Sequence, residues 1–209
     1  LLAGTFRLIV LASLIPAFLG VIVLAWGVKE TPVSGNAASR PRFGFKSLGK
    51  NFRYFVIMVG IFELGNSSDA FIILRAQERG LSLIGIFAML IAFNFVYSVI
   101  SLFAGKRSDR IGPRRVVMAG WAVYGLTYLG LASARSALHI VILYIMYGAY
   151  YGLSYGTAKA LVADLVPAES RGMAYGTYNA VLGLTDLPAS FLAGLLWSGA
   201  GQWPGFGPA

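Results

Sequence analysis

Six stretches of this chain are apolar over lengths that can cross a bilayer: Leu8 to Val28, Phe52 to Leu74, Leu81 to Gly105, Val116 to Ala134, Leu138 to Val166 and Gly172 to Trp197. A hydrocarbon core of about 30 Å takes about 20 helical residues, whereas a barrel strand takes about 10 alternating ones, so these runs read as helices. A helix also satisfies its own backbone donors and acceptors where no water is present. The expected fold is all-α, a polytopic transmembrane helix bundle of six spans. The first run exceeds the roughly 7–15-residue core of a signal peptide, has no cationic cluster before it and has no A-x-A pattern after it.

Composition agrees. Of 209 residues, 57% are apolar and only 12% charged, against about 45–50% and about 25% in soluble domains. The mean hydropathy is +0.72. There are no cysteines, which excludes a disulfide scaffold and thiol chemistry. The net charge of +9 reads as a topology signal rather than as a nucleic-acid footprint, because the cations collect in loops.

Those loops alternate. Lys29, Arg40, Arg42, Lys46, Lys50, Arg53, Lys106, Arg107, Arg110, Arg114, Arg115 and Arg171 make twelve positives on one side, against Arg7, Arg75, Arg79 and Arg135 on the other. The positive-inside rule puts residues 29–53 and 106–115 in the cytoplasm of a multi-pass protein of the cell membrane. The expected organisation is a span over 1–28, a Pro/Gly/Ser-rich linker over 29–53, a bundle of five spans over 54–198 and a Gly/Pro-rich tail over 199–209. A chain starting at Leu1, with both ends outside, reads as a piece of a longer protein.

The most specific motif is Gly105-Lys106-Arg107-Ser108-Asp109-Arg110-Ile111-Gly112-Pro113-Arg114-Arg115, expected to be a tight turn between two spans. Gly105 and Gly112 permit close approach and positive φ, and Pro113 can open the next helix. Asp109, the one acid among five cations, can bond them or a helix N-terminus. Composition alone leaves open a basic hairpin that merely orients the chain.

The pattern resembles the G-x-x-[SA]-D-[RK]-x-G-[RP]-[RK] loop signature of the major facilitator superfamily (MFS) of secondary transporters. Pro167-Ala168-Glu169-Ser170-Arg171-Gly172-Met173-Ala174-Tyr175-Gly176 is similar to the P-x-E-x-R-G-x-A-x-G stretch between spans ten and eleven of bacterial members. The resemblance implies that the chain runs from span six to span eleven. Residues 1–28 would then close an N-terminal half that is otherwise missing, 29–53 would be the central loop, and the final span would be absent. It also implies that Gly105, Asp109, Arg110, Gly112 and Arg114 form a cytoplasmic latch that holds one conformation and releases in another.

Ionisable residues within the runs are the second source of information, since a charge at mid-bilayer costs at least about 2.5–3.5 kcal/mol. Glu63 lies ten residues past Arg53, about 15 Å along a helix and therefore near the midplane. Asn66 and Ser67 follow at i+3 and i+4, on the same helical face, and Asp69 falls in the outer third. Each acid is either bonded to a neighbouring helix or takes part in substrate or proton coupling. Lys159 either snorkels toward the interface or serves as a charge partner for an anionic substrate or Glu63. Asp186 stands two residues before Pro188, whose missing N–H frees a carbonyl and suggests a broken helix. Asn94 and Tyr97 read as helix-to-helix glue, and the Trp and Tyr residues as core or interfacial belt. Gly148, Gly152 and Gly156 leave one helix face bare for close packing, with a hinge as the alternative.

With a single His and no Cys, no metal cluster, cofactor site or catalytic triad can be assembled. The function expected is therefore secondary active transport of a small solute by alternating access, with a proton or other ion as coupling partner and the lipid bilayer as surroundings. The alternative is a non-transporting membrane scaffold or assembly protein. A membrane-embedded enzyme ranks third.

Overall fold

The computed structural model describes residues 2–27, 29 and 45–199, and the chain divides into two compact units, Leu1–Arg40 and Pro41–Ala209. The expectations for linker residues 30–44 and tail residues 200–209 lie outside the described residues. Among the described residues the regular structure is helical, with no strand.

The first unit contains α1 (Leu2–Gly27), which passes through Pro16 without interruption. Its described side chains are all exposed, and a helix apolar all round suits lipid rather than water.

The second unit contains α2 (Lys50–Leu64), α3 (Ala70–Glu78), α4 (Leu83–Ile111), α5 (Pro113–Ala132), α6 (Ala137–Asp164) and α7 (Arg171–Ser198). Helix α2 starts at Lys50, inside the stretch expected to be linker. Across the described residues, four helices, α1, α4, α6 and α7, are long and apolar enough to cross a membrane alone. Helix α5 has 20 residues, about 30 Å, but carries Arg114 and Arg115 in its first turn.

The second apolar run is not one helix, and this corrects the expectation of a continuous span there. Helix α2 stops at Leu64, and α3 starts after Gly65-Asn66-Ser67-Ser68-Asp69. Gly has high helical entropy cost, and Asn, Ser and Asp bond nearby backbone in competing turns. Such turns form here: the Asn66 amide donates to the Glu63 carbonyl at 2.9 Å, and the Ala70 amide donates to Ser68 Oγ at 3.3 Å. The break expected at Pro188 does not occur, since α7 continues through it.

The glycine-aspartate motif is also helical for most of its length. Helix α4 runs through Ile111, so Gly105, Asp109 and Arg110 lie on its last turns, and the turn narrows to Gly112, at φ +87°. Gly105 has neither positive φ nor a close neighbour. Pro113 opens α5 as expected.

Helix α6 is the spine of this unit. It packs chiefly against α4 and α5, while α7 packs chiefly against α2. One buried cluster joins Phe52, Val56 and Val59 of α2 to Val162 of α6 and Tyr178 of α7. A second joins Ile72 of α3, Phe93 of α4 and Tyr124 of α5 to Tyr144, Tyr147 and Tyr150 of α6. Gly148 and Gly152 let α4 approach. A Cβ on Gly148 would lie 2.7 Å from the Phe93 carbonyl oxygen, and one on Gly152 would lie 2.8 Å from Ile100 Cβ. Gly156 departs from the expected stripe, having nothing within 4 Å of its would-be Cβ.

Candidate functional site

The α2–α3 break sets the geometry of the site. Asn66, the second residue past the end of α2, donates from Nδ2 to Glu63 Oε2 at 2.8 Å. Its Oδ1 accepts from the Tyr147 hydroxyl of α6 at 3.0 Å. Asn66 is therefore a bridge from the acid to the central helix, rather than one member of a polar stripe on a continuous helix. The carbonyl of Gly65, released by the break, accepts from the Tyr124 hydroxyl of α5 at 2.6 Å. Two tyrosines on different helices thus satisfy the interrupted backbone and its side chain, as buried polar groups require.

Glu63 and Asp186, from α2 and α7, line one cavity of about 290 Å³, together with Trp121, Tyr150 and Ser154. A second cavity of about 430 Å³ is lined by Ser67, Ser68, Asp69 and Ser190. Asn66, Tyr151 and Asp186 belong to both linings. The sequence residues Glu63, Asn66, Asp69 and Asp186 are therefore brought together. A larger apolar hollow of about 520 Å³, bordered by Tyr54, Met58 and Arg114, contains no carboxylate.

Lys159 lines neither acidic cavity. Its Nζ sits 4.3 Å from the centroid of the Tyr155 ring, within cation–π range. Asn94 bonds the Leu90 carbonyl of its own helix at 2.8 Å, which corrects its reading as glue between helices. Asp109 is exposed and unpaired: the one ion pair among the described residues is Arg75–Glu78 at 3.1 Å. Arg110 and Arg114 are exposed as well. Gly105, Asp109, Arg110, Gly112 and Arg114, expected from the sequence to form a latch, thus sit at one end of the unit, apart from the acidic cavities.

The tyrosines are what the sequence reading missed. Tyr147, Tyr150 and Tyr151 are packed with centroids 5.2–5.3 Å apart, and Phe62 stacks on Trp121 at 4.4 Å. Their signal was the spacing Tyr144, Tyr147, Tyr151, Ser154, which places hydroxyls along one side of α6 at helical intervals. Ser154 is 6% exposed, and its Oγ has no hydrogen-bond partner.

The family model of the Major Facilitator Superfamily matches residues 55–206. An uncharacterized MFS-type transporter of Methanocaldococcus jannaschii is 38% identical over 92% of this chain and 50% of its own length. A probable sulfoacetate transporter of Cupriavidus necator is 27% identical, over 48% of this chain and 23% of its own. A riboflavin transporter of Clostridioides difficile is 22% identical, over 54% and 25%. The chain spans half, or less, of the length of these relatives. No solved structure matches. The family match and the archaeal relative together establish that this chain, a partial bundle of apolar helices, belongs to the major facilitator superfamily.

Proposed function

We propose that the chain is the C-terminal portion of a secondary active transporter that moves a small solute by alternating access, coupled to a proton or another ion. The observation that carries this reading is the convergence of Glu63 and Asp186 on one cavity, joined through Asn66, Tyr151 and Asp186 to a second cavity holding Asp69. Carboxylates inside apolar spans are costly and mark solute or ion pathways. A discontinuous helix at such a site, with freed backbone groups, is a recurrent means of binding a solute or ion. The helix halves on either side of residues 65–69 supply that arrangement.

In this reading residues 1–28 close an N-terminal half, residues 29–53 form the central loop, and residues 54–198 hold the bundle that rocks around the acids. Residues 29–53 and 106–115 face the cytoplasm, and the segment from Gly105 to Arg114 works as the latch. The printed names of the relatives, sulfoacetate and riboflavin among them, differ too much in chemistry to transfer a substrate.

The test is solute flux in proteoliposomes containing the complete polypeptide and a trapped pH dye, with and without a pH gradient. Flux should depend on the gradient, and Glu63→Gln with Asp186→Asn should abolish that dependence. Unchanged pH-dependent flux in the double variant would overturn the coupling assignment. Absence of any flux, with a stable protein partner on purification, would favour an assembly role instead.

A further inference from the structure

We infer that the solute taken by this site is an organic cation, a protonated amine or quaternary ammonium carrying an apolar body. The inference rests on the reading of the two acidic cavities as the solute site and names the chemistry they select.

The first ground is charge. The two cavities carry three carboxylates, Glu63, Asp69 and Asp186, and no Lys, Arg or His among the described residues lines either one. An anionic solute would meet like charge and no counter-ion from these linings, which in a poorly solvated space is strongly unfavourable. A neutral sugar-like solute would gain nothing from the ionised acids, whereas a cation pairs with them.

The second ground is the aromatic part of the lining. Trp121, Tyr150, Tyr155 and Tyr178 line the cavity that Glu63 and Asp186 enter. Aromatic faces attract alkylammonium groups through their quadrupole and also bury apolar surface, which a small hydrated metal ion cannot exploit. Tyr155 already holds an ammonium of this kind, with Lys159 Nζ 4.3 Å from its ring centroid, although Lys159 itself lines neither cavity.

The third ground is room. A cavity of about 290 Å³ is near the lower end of the about 300–1,000 Å³ typical of small-molecule sites.

The test uses the complete polypeptide in lipid nanodiscs and equilibrium dialysis of radiolabelled phenyltrimethylammonium. Benzenesulfonate and benzyl alcohol are the anionic and neutral competitors. Saturable binding should appear and resist both. Glu63→Gln with Asp186→Asn should weaken it at least about tenfold. Lys159→Gln, a change at a position that lines neither cavity, should leave it within about twofold. Circular dichroism and size exclusion report whether each variant is folded. Absence of saturable phenyltrimethylammonium binding, or a loss in Lys159→Gln as large as in the double variant, overturns the inference. If benzenesulfonate or benzyl alcohol binds instead and loses affinity in the double variant, the cation assignment falls while the solute site stands. If phenyltrimethylammonium binds with the same affinity in all variants, the acids are not the site and both readings fall.

Discussion

Substitution of Gly148 by Ala should separate two helices that now touch through their backbones. The new Cβ would lie 2.7 Å from the Phe93 carbonyl oxygen, about 0.7 Å short of the 3.4 Å at which ordinary contact begins. That oxygen belongs to the α4 backbone and cannot rotate away, so α4 and α6 must move apart. Overpacking of this kind costs about 1–3 kcal/mol, and the better helix propensity of Ala returns up to about 1 kcal/mol. The net expectation is a loss of about 1–2 kcal/mol. Gly156→Ala is the internal control, since nothing lies within 4 Å of its Cβ position and its expected change is between zero and a gain of about 1 kcal/mol. The difference of about 2 kcal/mol is about 30-fold in an unfolding constant. It can be read by titrating the purified protein from mild detergent into dodecyl sulfate and following ellipticity. Equal stability of the two variants would refute the assignment of close α4–α6 packing to Gly148.

Further substitutions test the remaining contacts. Ser154→Ala removes a buried hydroxyl without a partner and should be neutral or stabilising by up to about 1 kcal/mol in the same titration. Gly120→Ala should destabilise, because its Cβ would collide with Ser154 Oγ; Ser154→Ala in the same chain should recover much of that loss. Tyr124→Phe strips the Gly65 carbonyl of its donor and should cost about 1–3 kcal/mol, with faster hydrogen exchange at residues 65–69. Gly112→Ala, at φ +87° and ψ 143°, a region essentially confined to glycine, should cost about 1–3 kcal/mol, whereas Gly105→Ala, helical and unobstructed, should cost nothing.

The apolar runs, the Pro113 helix start and the acids inside the spans were legible because each rests on local physics: lipid solubility, a fixed φ or the cost of burying charge. The break at residues 65–69 was less visible. Apolar residues resume after Asp69, and hydropathy alone joins the two halves, although Gly-Asn-Ser-Ser-Asp is a turn-forming sequence. The glycine stripe shows the limit of spacing arguments. Steps of four residues rotate about 40° each, so by Gly156 the bare face has turned about 80° from Gly148 and no longer meets α4. The same limit applies to Asn94, whose spacing does not reveal that it bonds its own preceding turn. The partnership of Asn66 with Tyr147 spans 81 residues, and a side-chain contact of that separation leaves no local pattern.

The central claim is that water and solute reach Glu63, Asn66 and Asp186 together, in a cavity inside apolar helices. The chain has no cysteine, so single substitutions in it report directly once any cysteine elsewhere in the complete polypeptide is replaced. Glu63→Cys, Asn66→Cys and Asp186→Cys should each react with a membrane-impermeant methanethiosulfonate reagent added to the complete polypeptide in vesicles. Leu126→Cys and Leu129→Cys, on the apolar face of α5 at 65% and 71% exposure, should resist the reagent because lipid covers them. Equal labelling rates at the acids and at these leucines, or no labelling at Glu63, Asn66 and Asp186, would contradict the account.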